Sequence, residues 1–166
     1  MIKVSLFGKN SDSIRHLIPQ FGLQLTEDTP DVIISYGGDG TLLSAERKYP
    51  GIPKLPIRDS KVCKKCPPHT TENLIEALGA GQLNFKYYPK LEAKSSNADI
   101  LAINDIVIRN TTPMHALRFK VFRHEQKIGP KVIIGDGVVA TTPFGSSGYY
   151  QSITREKVAT GFALAF

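Results

Sequence analysis

Apolar positions along the chain follow two rhythms, and the change between them falls near residue 82. Residues 2–8 are apolar and β-branched enough for a buried strand, ending at Gly8-Lys9-Asn10-Ser11, a turn that also offers Ser11 as a helix cap. Ile14, Leu17, Ile18 and Phe21 then recur at helical spacing as far as Gly22. Asp31-Val32-Ile33-Ile34-Ser35-Tyr36 reads as a second buried strand, runs into Gly37-Gly38-Asp39-Gly40, and is followed by helix-forming residues from Thr41 to Lys48. A proline-punctuated link holds a short strand up to Ile57. Thr70 or Thr71 can cap a helix through Asn73–Leu78 that Gly79 and Gly81 close.

Beyond about Asn84 the helical spacing disappears. Phe85–Tyr88, Ile100–Ile103, Ile106–Ile108, Leu117–Phe122 and Val132–Ile134 are strand-like, and Leu117–Phe122 alternates as a half-buried strand should. The expected fold is therefore an α/β lobe over residues 1–82, Rossmann-like with a mostly parallel sheet, and a β-rich lobe over residues 83–166. The apolar, strand-like end from Gly161 to Phe166 would leave a sheet edge uncovered, so the second lobe is expected to be incomplete.

With 166 residues, 41% of them hydrophobic, the chain can bury a substantial core. No apolar run reaches the roughly 20 residues that span a bilayer, and the start does not have the form of a signal peptide, so a cytoplasmic protein without membrane attachment is expected. A formal charge of +6 favours polyanionic partners. The basic residues are scattered and lack interleaved aromatics, which argues against nucleic acid. Cys63, Cys66 and His69 form a Cys-x-x-Cys-x-x-His pattern that suits partial metal ligation or redox chemistry, or is simply a lysine-rich loop carrying two thiols. No metal-ligand set is assigned to it.

Three segments carry chemistry. In Gly37-Gly38-Asp39-Gly40-Thr41 the glycines allow close backbone approach to phosphate oxygens at a helix N-terminus. A carboxylate there would repel phosphate unless it binds magnesium or takes a proton from an attacking hydroxyl; otherwise Asp39 only caps the helix. Asn104-Asp105 interrupts an apolar stretch, so the pair either turns outward on a bulge or projects into a cavity, where it could serve a ribose diol. Asp136-Gly137 leads through small and branched residues into Thr142-Pro143-Phe144-Gly145-Ser146-Ser147-Gly148-Tyr149, a hydroxyl-rich loop suited to ribose and amide hydrogen bonding, or else a stiff turn.

Taken in order, these three segments resemble the NAD kinase family, whose motifs are Gly-Gly-Asp-Gly-Thr, Asn-Glu, and Asp-Gly leading into Thr-Pro-Thr-Gly-Ser-Thr-Ala-Tyr. The first motif is shared with lipid kinases and resembles the phosphofructokinase loop; the third discriminates. The resemblance implies an ATP- or polyphosphate-dependent kinase in which Asp39 takes the proton from the adenosine ribose 2′-hydroxyl of NAD, with Mg2+ bridging the phosphates. It implies that Gly37, Gly38, Gly40 and Thr41 hold phosphate, and that Asn104, Asp105, Asp136, Ser147, Gly148 and Tyr149 line the NAD site. Asp136 would reach the ligand of a neighbouring subunit in a dimer or tetramer. Departures stand at Asp105 for Glu, Phe144 for Thr, and Ser147-Gly148 for Thr-Ala, and the family's β domain continues past the position of Phe166. A lipid or sphingoid kinase and a non-catalytic NAD- or nucleotide-binding protein are the alternative readings.

Overall fold

The computed structural model describes every residue except Pro113. The chain forms two compact units, Met1–Lys86 and Tyr87–Phe166.

The first unit is built on a parallel sheet of β1 (Lys3–Phe7), β2 (Gln24–Leu25), β3 (Val32–Gly37) and β4 (Lys54–Arg58), in the order β2-β1-β3-β4. Five of the six β3 residues are buried, Ile33 and Ile34 completely, as expected for a central parallel strand covered on both faces. Helix α2 (Asp39–Lys48) follows β3, and α3 (Thr71–Gly79) buries Leu74, Ile75 and Leu78 in the core with Val4, Ile18, Ile34 and Ile57. Each such side chain contributes roughly 1.5–3 kcal/mol by leaving water. The α3 cap is Thr70, whose Oγ1 accepts from Asn73 N at 3.3 Å. At its other end α2 is tied to β4 by a nearly buried Lys54–Glu46 ion pair, and the same ammonium donates to the Tyr49 carbonyl just past the helix.

The helix anticipated from Ile14 to Gly22 is shorter. It splits into a 3-10 turn at Ser11–Ile14 and α1 (Leu17–Gln20). Pro19 explains the break, because its ring conflicts with the carbonyl of residue 15 and it has no N–H to give. Ser11 is not a side-chain cap; its hydroxyl donates to the Gly8 carbonyl at 2.9 Å.

In the second unit β7 (Asp105–Arg109), β10 (Gly137–Thr141) and β11 (Ala163–Ala165) form an antiparallel sheet, with β10 central. Two hairpin-like pairs accompany it, β5 (Leu91–Lys94) with β6 (Asp99–Ala102), and β8 (Leu117–Arg123) with β9 (Gln126–Gly135). Helix α4 (Tyr149–Thr154) is short. Phe85–Tyr88 is not a strand, despite its composition: the segment has no ladder partner among the described residues, and Phe85 and Tyr87 are exposed. Side-chain propensity alone does not make a strand where backbone pairing is missing.

Candidate active site

In a doubly wound sheet, ligands bind beyond the carboxyl ends of strands where the strand order reverses. Here that point lies between β1 and β3, since β1 is followed outward by β2 and β3 by β4. An open cleft of about 680 Å³ occupies it, lined by Leu6, Phe7, Gly8, Lys9, Ser11, Gly40, Thr41 and Ser44. Its lining contains one cation and three hydroxyls alongside the start of α2. Lys9 and Ser44 are contributors that motif reading missed. Lys9 was legible in principle as the cation just after the first strand.

Gly37-Gly38-Asp39-Gly40-Thr41 turns β3 into α2 with Gly38 as the N-cap in an extended conformation. The carbonyl of Gly38 accepts from Thr41 N at 3.0 Å and Leu42 N at 3.2 Å. The helix starts at Asp39, so the Asp39 and Gly40 N–H groups are the ones an α-helix leaves without an internal acceptor. Those amides and the positive helix end make an anion cradle. Gly37 is required sterically, since a Cβ there would lie 2.2 Å from Thr41 Oγ1 and 2.8 Å from Thr41 Cβ; at Gly38 a Cβ would lie 2.9 Å from Ser60 Oγ, which a turn of that side chain relieves. Gly40 has open space around it, so packing does not account for it.

Asp39 is not a side-chain cap of α2. Its carboxylate turns to the following loop, where Oδ1 accepts from Lys65 N at 2.9 Å and Oδ2 from Lys64 N at 3.2 Å. Cys63 Sγ approaches Oδ1 to 3.2 Å. Cys63 and Cys66 are joined as a disulfide, so neither sulfur offers a thiolate to a metal. Among the described residues no group of three or more His, Cys, Asp or Glu is placed to hold a metal.

The second unit joins the other two motifs. Thr142 N donates to the Asn104 carbonyl at 3.0 Å, Thr142 Oγ1 donates to the Ile103 carbonyl at 2.6 Å, and Gly145 N donates to Thr142 Oγ1 at 3.0 Å. Asp105 pairs with Thr141 in the β7–β10 register. A Cβ on Gly145 would sit 2.2 Å from the Asn104 carbonyl oxygen, which makes glycine obligatory there. The Asn104 side-chain oxygen is buried with no hydrogen-bond partner among the described residues. Burial pushes the Asp105 carboxyl above its ordinary range. An orphaned acceptor beside a desolvated carboxyl is costly unless a ligand donates to it.

Gly148 caps α4, Tyr149 opens it and is more than half exposed, and Ser147 precedes them on the same loop. Phe144 is buried and meets the Tyr88 ring edge-on at 4.6 Å, so it serves as packing beneath the loop. Asp136 stands apart. It lies at the opposite end of β10 from Thr142, six residues or about 20 Å of extended chain away, with its carbonyl accepting from Asn110 N at 3.1 Å.

No protein-family model matches the chain. Sequence relatives include an NAD kinase of Sulfurisphaera tokodaii, 34% identical over 163 residues, covering 93% of this chain and 63% of the relative. An NAD kinase of Campylobacter jejuni is 29% identical over 174 residues, covering 96% and 57%. The chain thus spans about three fifths of the length of these relatives. Among solved structures, an NAD kinase from Archaeoglobus fulgidus in complex with ATP superposes with a TM-score of 0.78 at 20% identity, over 99% of this chain and 71% of that one. Yeast NADH kinase complexed with NADH gives 0.77 at 16% identity, over 96% and 62%. At these identities the structural likeness establishes the fold.

Proposed function

This chain is a sequence relative of the NAD kinases, and on that premise we propose that it transfers the terminal phosphate of ATP or polyphosphate to the adenosine ribose 2′-hydroxyl of NAD. The observation that carries the reading is the presence, in one chain, of a glycine-rich anion cradle bearing one carboxylate and of a separate polar cluster whose buried Asn104 side-chain oxygen lacks a partner among the described residues.

In this reading Gly37, Gly38, Gly40 and Thr41 hold the phosphates, with Lys9 neutralising charge across the cleft. Asp39 accepts the proton of the 2′-hydroxyl as its oxygen bonds to the terminal phosphorus and the bond to the leaving diphosphate breaks. Asn104 and Asp105 engage NAD hydroxyl and adenine groups, while Ser147, Gly148 and Tyr149 line the rest of the dinucleotide pocket. Asp136, remote from Asn104 along its own strand, would act on the ligand of a neighbouring copy, which makes a homo-oligomer, dimer or tetramer, part of the proposal.

Magnesium is ordinarily held by one or two carboxylates together with substrate phosphates. A loop with one carboxylate, Asp39, flanked by a phosphate cradle and the Thr41 hydroxyl has the hard oxygen donors this requires. When bound, the ion would neutralise charge on the transferring phosphate. A cytoplasmic location belongs to the same proposal; no helix among the described residues is long and apolar enough to cross a membrane.

The test is NADP formation from NAD, ATP and magnesium by the purified chain, with Asp39→Asn alongside. Loss of a general base typically lowers the rate by about 10²–10⁴-fold. Asn can still accept the Lys65 amide, so the variant is expected to fold. Equal NADP production by the two proteins would remove Asp39 from the role of base.

A further inference from the structure

The four-residue ring closed by Cys63 and Cys66 contains Lys64 and Lys65, and the backbone amides of those two residues are the donors to both oxygens of Asp39. Three further contacts lay the same loop over the glycine turn. Asp59 N donates to the Gly37 carbonyl at 3.0 Å, Ser60 Oγ and the Val62 carbonyl crowd Gly38, and Cys66 Sγ lies 3.8 Å from the Gly37 carbonyl. Residues 59–70 contain no helix or strand. Their positions relative to Asp39 therefore depend on a few hydrogen bonds, such as Arg58 Nη2 to the Cys63 carbonyl at 3.1 Å, and on the disulfide.

We propose that Cys63 and Cys66 form a reversible redox latch on Asp39, closed as the disulfide and opened by a dithiol reductant. The inference rests on the reading of Asp39 as the proton acceptor. In the closed state a loop amide occupies one acceptor position on each carboxylate oxygen and fixes the direction in which Asp39 points, whereas a general base must turn an oxygen to within hydrogen-bonding reach of the hydroxyl it deprotonates. Cys63 is buried and Cys66 only half-buried, so the reductant's thiolate meets Cys66 Sγ first. That attack breaks the Cys63–Cys66 bond and forms a mixed disulfide. The reductant's second thiol then displaces Cys66 and leaves as the oxidised dithiol. Two electrons and two protons have passed to the protein, the ring is open, and Lys64 and Lys65 are no longer tied to Asp39 by a covalent closure. Cys63, which as a disulfide sulfur only touches Oδ1, becomes a weak S–H donor that yields readily to a substrate hydroxyl.

The experiment compares the air-oxidised chain, the dithiothreitol-reduced chain and the C63S/C66S double variant. The oxidised protein is expected to show no free thiol and the reduced protein both; two free thiols in the air-oxidised chain would overturn the latch. Where NADP forms, reduction is expected to raise its rate tenfold or more, and C63S/C66S to run at the reduced rate with or without dithiothreitol. Rates for oxidised and reduced wild type within twofold of each other would end the proposal. Where no protein makes NADP, the kinase reading fails, and amide hydrogen exchange at Lys64 and Lys65 decides the latch alone. A fivefold or greater acceleration on reduction, matched by C63S/C66S, supports it, and unchanged exchange refutes it.

Discussion

Thr142 holds Asn104 in place by donating its backbone N–H to the Asn104 carbonyl at 3.0 Å, while its hydroxyl bridges the Ile103 carbonyl and the Gly145 amide. Two segments nearly forty residues apart are thereby tied into one polar cluster, in which the buried Asn104 side-chain oxygen has no hydrogen-bond partner among the described residues. Thr142 is itself almost completely buried, so no water is at hand to replace either bond.

Thr142→Val is therefore expected to destabilise the protein by about 2–6 kcal/mol, since it strands the Gly145 amide and deprives the Ile103 carbonyl of a donor at roughly 1–3 kcal/mol each. Thr142→Ser keeps both bonds and should stay within about 1 kcal/mol of wild type. Urea unfolding with a common slope measures this. A valine variant as stable as the serine variant would show that the hydroxyl does not organise the loop.

The parts of this arrangement that could be read from residues are those where one local signal suffices. β1, β3 and α3 announce themselves through buried apolar positions, and the glycine turn through its composition. Pro19 was visible too, but the spacing of Ile14, Leu17, Ile18 and Phe21 concealed its effect on helix length. Leu91–Lys94 carries no clear strand signal, because its alternation is short and charged, and it pairs through backbone bonds with Asp99–Ala102. The hold of Lys64 and Lys65 on Asp39 was not legible at all. It is made by main-chain amides, which every residue but proline has, and it joins positions about 25 residues apart without a side-chain signature.

Gly40 and Gly145 separate a glycine needed by a ligand from one needed by the fold. An alanine Cβ meets nothing within 4 Å at Gly40, but lies 2.2 Å from backbone at Gly145. Gly40→Ala should leave the melting temperature within about 2 °C of wild type, in line with the small effect of substitutions away from packed features. It should still weaken ATP binding about tenfold, by keeping phosphate from the backbone. Gly145→Ala should unfold the second unit's loop or cost several kcal/mol, on the order expected for overpacking against fixed backbone. Calorimetric ATP titration beside thermal melting reads both, and unaltered ATP affinity in Gly40→Ala would mean that the cradle does not hold phosphate.

Asp105 supplies a prediction that needs no substrate. Burial raises its folded-state pKa above the ordinary value of 3.8. Below that value the group is protonated in both folded and unfolded chains. As pH rises, the unfolded chain ionises first while the folded one keeps the proton. Stability therefore falls with pH from near 3.8 until the folded carboxyl has ionised, and the loss persists at neutrality. Asp105→Asn removes the ionisation while retaining a side chain of nearly the same shape. The variant should melt higher than wild type at pH 7, and the gap should close on approaching pH 4. A ligand that donates to Asp105 would stabilise its charged form, so saturating NAD should raise the wild-type melting temperature at pH 7 more than that of Asp105→Asn. A gap independent of pH would show that burial of this carboxyl is not what distinguishes the two proteins.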